Sequence, residues 1–251
     1  MTAVSGFEPH WTAPSNVRTF LTVRSGGGSQ PPFDSFNLAM HVGDDPEAVA
    51  ENRRRLREGL DLPAEPGWTA QVHGTHCTRV GPEGAADTEA DGGLVDTPGA
   101  VAVVLTADCL PVVLARDDGT AAAVVHAGWR GLAAGVVETA VRALGPPGSL
   151  HAYLGPAIGP DAFEVGEEVR AAFVDWAEED QNAFHPHGER WLANLYLLAS
   201  QRLKRLGVAP HCISGGGFCT FSDAGRFFSH RRDGRTGRMA TLVWLESPGQ
   251  A

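Results

Sequence analysis

The chain has 251 residues, 43% hydrophobic and 20% charged, enough for one large domain or two small ones around a substantial core. Its net charge of −10 lacks the electropositive footprint that non-specific DNA or RNA binding requires, so no nucleic-acid partner is expected. No run approaches the roughly 18 apolar residues of a membrane span, and the opening MTAVSGFEPHWTAP lacks the basic and apolar regions of a secretory signal. The expected location is the cytoplasm, with no membrane partner. There, Cys77, Cys109, Cys212 and Cys219 are expected as free thiols or ligands rather than disulfides. Of the 20 basic residues only Lys204 is a lysine, on a predicted helix face, which speaks against Schiff-base or P-loop lysine chemistry.

In chain order, Val17–Val23 is predicted as an opening strand. A helix follows, with Asp44 or Asp45 as cap and Pro46 in its first turn, running to about Leu60. Trp68–Val80 is predicted as a strand, a turn at Gly74 and a second strand. Strands follow near 94–96, 101–105, 110–115 and 121–126. Val101–Leu105 and Ala121–Val125 are apolar throughout, the pattern of strands buried on both faces. Leu132, Val136, Val137, Ala140, Val141 and Leu144 recur at helical spacing and stop at Gly145. His151–Leu154 is a further predicted strand, with helices near 166–178 (Val169, Phe173 and Trp176 on one face) and 191–206. Strands near 211–214 and 240–245 close the chain. Irregular mixing with hairpin-length gaps predicts an α/β (α+β) fold: mixed β-sheets covered by helices, in a single domain over 1–251.

Two of these apolar runs end in ligand-type side chains. VAVVLTADC stops at Cys109, VVHAGWRG turns at His126, and His73 lies upstream in a Gln-Val-His-Gly turn. Two imidazoles and a thiolate can hold zinc and leave a fourth position open for chemistry. The spacing forms no local metal motif, so two core histidines and a buried cysteine remain an alternative. A thiolate beside an imidazole is also a nucleophile in its own right. His76 is a rival to His73, and Asp108 is a candidate to orient a ligand histidine through its second ring nitrogen, the alternative being a turn-forming aspartate.

QVHG, TADC and HAGWRG stand in the order typical of the multicopper polyphenol oxidase (laccase-like) family, whose bacterial members resemble purine nucleoside phosphorylases. SFNLAMHVGDDPEAVAENR (35–53), ADGGLVDTPGA (90–100), LGPAIGPDAFEVGEEV (154–169) and CTFSDAGRFFSHRRDGRTGR (219–238) extend the resemblance from about Thr19 to Leu245. It implies an α/β fold with mixed sheets. It also implies that His73, Cys109 and His126 are the metal-binding, catalytic trio, with Zn2+ as the metal and copper as the alternative. The implied reaction is phosphorolysis of adenosine, inosine and 5′-methylthioadenosine to free base and ribose 1-phosphate, with adenosine deamination in the same site. Purine nucleosides and phosphate are then the partners. Phe221 stands where the family often has tyrosine, and Asn194 where an aspartate is common.

The segment from Arg226 to Arg238 sets five arginines against Asp233, a local reversal of the chain's sign. Arg231, Arg232, Arg235 and Arg238 are candidates for a phosphate clamp, the alternative being a solvated hairpin. Arg53 and Arg130 are further candidates, and Arg130 is favoured because it lies four residues from His126. Asn37 and Asn52 are polar positions aimed at backbone groups. Three competing readings stand beside the phosphorylase. A copper-dependent polyphenol oxidase would want dense His-x-His clusters, and the chain offers only His185-Pro186-His187, in an acidic segment expected to be exposed. A cysteine hydrolase editing peptidoglycan precursors would use Cys109 as nucleophile and His126 as base. A binding protein without turnover would leave the trio inert.

Overall fold

The computed structural model describes residues 4–247. The chain opens with β1 (Gly6–Phe7) and β2 (Val17–Thr22) and then α1 (Pro46–Gly59), whose first turn is capped by the Asp45 carboxylate accepting the Glu47 N–H at 3.0 Å. Such a cap contributes on the order of 1 kcal/mol. Next come β3 (Cys77–Gly81), β4 (Gly84–Ala85), β5 (Gly92–Val95), β6 (Val101–Thr106), β7 (Leu110–Arg116) and β8 (Ala122–Ala127). Two short helices follow, α2 (Trp129–Ala134) and α3 (Val136–Leu144), then β9 (Leu150–Leu154), β10 (Glu164–Val165) and α4 (Glu167–Val174). The remainder is β11 (Phe184–His187), β12 (Arg190–Ala193), α5 (Leu195–Arg205), β13 (Ile213–Gly215), α6 (His230–Asp233) and β14 (Met239–Leu245). No helix among the described residues is long and apolar enough to cross a membrane.

Three sheets result: a four-stranded one ordered β1-β2-β14-β6, a seven-stranded one ordered β13-β9-β7-β8-β5-β3-β4, and a small one ordered β10-β12-β11. The four-stranded sheet is antiparallel throughout, and the seven-stranded sheet is mixed, with parallel pairs at β13–β9 and β3–β5. The mixed α/β architecture matches the expectation. Its layers explain the continuous apolar runs. Val104, Val113, Val124 and Val243 fill the space between the two large sheets, while Leu56 of α1 and Val103 pack on the far side of the smaller of them. Leu132, Val137, Leu154 and Leu203 build the core between the seven-stranded sheet and α2, α3 and α5. Central strands therefore have no solvated face, and hydrophobic residues follow one another without alternation.

Four predicted elements differ from the structure. Residues 68–75 form no strand. Their backbone makes the isolated bridge Ala70↔Glu89 but no ladder, and the N–H groups of Val72, His73 and Gly74 are satisfied by the Asp91 side chain rather than by a neighbouring strand. The helix expected from Leu132 begins at Trp129 and breaks at Gly135, whose φ of 101° is open to glycine and strained for other residues. Residues 191–193 belong to β12, not to the start of a helix; α5 begins only at Leu195, capped by Asn194, whose side chain accepts the Leu197 N–H at 3.0 Å. The family's usual aspartate could cap in the same way, so the departure at this position keeps the cap. Finally, α4 stops at Val174, and Trp176 is exposed beside Arg202 and Arg205 instead of joining the face of Val169 and Phe173.

Candidate metal centre

β6 belongs to the four-stranded sheet and β7 to the seven-stranded one, so the turn between them steps from one layer to the other. Cys109 sits in that turn. His126 lies in the neighbouring β8, paired with Pro111 of β7. His73 arrives from the loop before β3, with a φ of 59°. One donor atom each from His73, Cys109 and His126 lies within 4.8 Å of the others, and the two imidazole rings meet edge-on at 4.7 Å. His126 is buried, Cys109 half-buried and His73 exposed, so the cluster opens to solvent on the His73 side. Gly128 lies directly against the cluster: a Cβ there would sit 2.6 Å from His73 Nδ1 and 3.0 Å from Cys109 Sγ. Only a residue without a side chain leaves that space free.

Asp91 organises the cluster, and the sequence reading did not single it out. Its carboxylate, wholly buried, accepts the N–H groups of Val72, His73 and Gly74 at 3.1, 2.9 and 2.6 Å and meets His126 Nδ1 at 2.8 Å. Its backbone carbonyl also accepts the His126 N–H at 2.7 Å. A carboxylate can only accept, so Nδ1 carries the proton and Nε2 is the nitrogen left for a ligand. Gln71 pins the same loop to β6 by exchanging two hydrogen bonds with the Leu105 backbone, at 2.7 and 2.9 Å. Asp108 does not orient a histidine and instead occupies the turn, with a φ of 91°. It touches neither histidine; its carboxylate accepts from Thr220 Oγ1 at 2.6 Å and from the Arg231 N–H at 2.7 Å. It thereby ties the Cys109 turn to α6. His76 pairs with Asp87 at 2.9 Å on the surface, outside the cluster.

The electrostatics follow from burial and neighbours. Burial would raise the Asp91 pKa, but His126 and the backbone donors outweigh it and hold the carboxyl below its ordinary value. Burial works against charge on His126 too, yet Cys109 and Asp91 push it up to about 9. His73 is pushed down, first by burial and then by the neighbouring His126, which keeps it neutral and ready to ligate.

A cavity of about 220 Å3 opens beside the cluster, lined on the trio's side by His73, Cys109 and His126. Its other polar lining is Gln71, Thr106, His41, His230 and Arg238. Four of the arginines expected at the phosphate are engaged elsewhere. Arg53 stacks on Trp68 at 3.8 Å and donates to the Leu38 carbonyl. Arg231 donates to the Glu164 carbonyl, and Arg232 spends its guanidinium on the carbonyls of Thr220, Phe221 and Phe227 and on Asp233. Arg235 binds the Gly43 carbonyl. Arg130 is exposed and lies over Trp129 at 4.4 Å, near enough to His73 to disfavour its protonation but outside the cavity lining. Of the arginine-rich segment, Arg238 is the member that lines the cavity. His185 and His187 project from β11, where His187 pairs with Glu164.

Comparisons with known proteins place the chain in a family. A family model described as multi-copper polyphenol oxidoreductase laccase matches residues 18–246. PA4543 of Pseudomonas aeruginosa, named a purine nucleoside phosphorylase, is 52% identical over 241 residues, covering 95% of this chain and 97% of that protein. YfiH of Escherichia coli K12, with the same enzyme name, is 48% identical over 238 residues, covering 94% and 97%. The crystal structure of Neisseria meningitidis NMB0706 superposes with a TM-score of 0.91 at 45% identity, over 97% of this chain and 100% of that one. A metal-binding fold, a His-Cys-His cluster able to hold an ion and relatives that span almost the full chain point one way. The chain belongs to the multi-copper polyphenol oxidoreductase laccase family.

Proposed function

We propose that this chain is a zinc-dependent purine nucleoside phosphorylase. It would split adenosine, inosine and 5′-methylthioadenosine with phosphate and deaminate adenosine in the same site, in the cytoplasm. The relatives' names support the phosphorylase class. The observation that carries the reading is the open three-donor set beside a polar cavity. Its chemistry fits zinc: two imidazoles and a thiolate make three of four tetrahedral positions and leave one for substrate or water. His73, Cys109 and His126 would hold the ion, and Gly128 keeps their space clear. Bound there, zinc supplies Lewis acidity toward a developing negative charge and acidifies water for deamination.

The protein's own groups do the rest. Asp91 fixes the His126 tautomer and shapes the His73 turn, so the donors are aligned before substrate enters. In phosphorolysis a phosphate oxygen forms a bond to C1′ as the bond from C1′ to the purine nitrogen breaks, and the departing base takes up a proton. The cavity must therefore hold an anion and a neutral nucleoside together and orient one towards the other.

One observation favours a second reading. Cys109, His126 and Asp91 form a thiol–imidazole–carboxylate series, the arrangement of a cysteine hydrolase. Metal analysis of protein purified without added metal, combined with phosphate-dependent release of free base, separates the two. About one zinc per chain and base release that needs phosphate support the phosphorylase. Copper with phenol oxidation would transfer support to an oxidase, and metal-free protein with chelator-insensitive hydrolysis to the cysteine enzyme.

A further inference from the structure

Beyond the donor trio, the cavity presents three basic side chains that no metal role uses: His41, His230 and Arg238. They come from distant segments, and buried polar residues tie those segments together. Asn37, fully buried, accepts the Arg238 N–H at 3.0 Å. It also donates to the Ala39 carbonyl at 3.1 Å and to Asp44 at 2.9 Å, holding the loop that carries His41. Asp108 fastens the start of α6, and with it His230, to the Cys109 turn. His230 Nδ1 contacts the Gly234 carbonyl at 2.7 Å; a carbonyl only accepts, so Nδ1 donates and Nε2 is the free nitrogen.

Arg238 is half-buried, and burial disfavours its charge. Among the described residues its side-chain hydrogen bonds run from Nη1 to the carbonyls of Thr236 and Gly237, at 2.8 and 3.0 Å. Among the described residues it has no salt-bridge partner, and no Asp or Glu lines the cavity. Asp108 favours the Arg238 charge without forming an ion pair with it, so a guanidinium partly withdrawn from water is still best completed by an anion. A guanidinium fork suits two oxygens of one phosphate.

We propose that Arg238, with His41 and His230, forms the subsite for inorganic phosphate in the same cavity as the His73–Cys109–His126 trio. The identity of the anion rests on the phosphorylase reading, and its charge on the cavity lining. The test titrates inorganic phosphate into the metal-loaded full chain by calorimetry. Wild type binds, and Arg238→Ala weakens binding roughly 10- to 100-fold, the scale of charge-assisted hydrogen bonds. Arg238→Lys, which keeps the charge and loses the fork, falls between and serves if the alanine variant does not fold. Arg231→Ala and Arg235→Ala bind like wild type. In turnover, Arg238→Lys raises the KM for phosphate more than the KM for nucleoside. Absence of phosphate binding in wild type, or equal losses in Arg231→Ala and Arg238→Lys, overturns the subsite. Arg238-dependent phosphate binding without nucleoside cleavage leaves the subsite standing and removes the phosphorylase reading. Phosphorolysis with an unchanged phosphate KM in both Arg238 variants does the reverse.

Discussion

The Asp91 carboxylate meets His126 Nδ1 at 2.8 Å while the same two oxygens accept three successive N–H groups of the turn that carries His73. One buried group therefore orients two of the three candidate ligands. Asp91→Asn exchanges an acceptor oxygen for an NH2 facing backbone donors. Metal affinity is expected to fall roughly 10- to 100-fold, and each orphaned N–H to cost about 1–3 kcal/mol of stability. Competitive metal titration and thermal melting read the two effects. Unchanged affinity would show that Asp91 orients nothing.

Gly128→Ala tests whether the cluster needs its empty neighbour. Gly128 has φ −61° and ψ 157°, which alanine adopts without strain, so the backbone is not the obstacle. The new methyl would lie 2.6 Å from His73 Nδ1, and the imidazole must move. Metal content is expected to drop while the circular dichroism spectrum stays that of wild type. A variant with full metal occupancy would disprove the close-packing argument.

Cys109→Ser replaces a thiolate with a neutral hydroxyl, a far poorer ligand. The variant is expected to lose its metal, and phosphorolysis and deamination should fall together because one site serves both. The fold should survive, since the hydrophobic core does not depend on the ion. Metal content and adenosine turnover are to be measured on one preparation. Full activity in zinc-free protein would end the zinc reading.

Arg202 and Glu138 make a buried ion pair at 2.5 Å between α5 and α3, with Arg202 1% exposed and stacked at 4.3 Å on Trp176. Arg202→Ala strands the Glu138 carboxylate and is expected to cost about 3–5 kcal/mol. Replacing both residues with hydrophobic side chains of similar volume should recover most of that loss. Urea unfolding of the single and double variants decides; equal losses in both would refute the uncompensated-charge explanation.

Much of the fold was legible in the chain because strands buried on both faces and amphipathic helices leave patterns in neighbouring residues. Val101–Leu105 and Leu110–Ala115 lie within β6 and β7, and Asp45-Pro46 marks the start of α1. The pattern misled where local sequence served a distant partner. Arg190–Ala193 looks like the start of α5 until β10 and β11 pair with it. The loop at 68–75 looks like a strand until Gln71 and Asp91 supply its hydrogen bonds.

The candidate site divides along the same line. From the chain alone came the residue types, their order in QVHG, TADC and HAGWRG, and the local excess of arginine near its end. A resemblance carried by motif order could name His73, Cys109 and His126, because motifs are sequential. It could not name Asp91, whose part consists of four contacts with residues up to 35 positions away. Nor could charge counting tell Arg238, which lines the cavity, from Arg232, whose guanidinium is committed to backbone carbonyls and Asp233. All arginines carry the same charge in sequence. Tertiary structure alone decides which of them faces a cavity, because burial and hydrogen-bond partners belong to the packed chain and not to any one position in it.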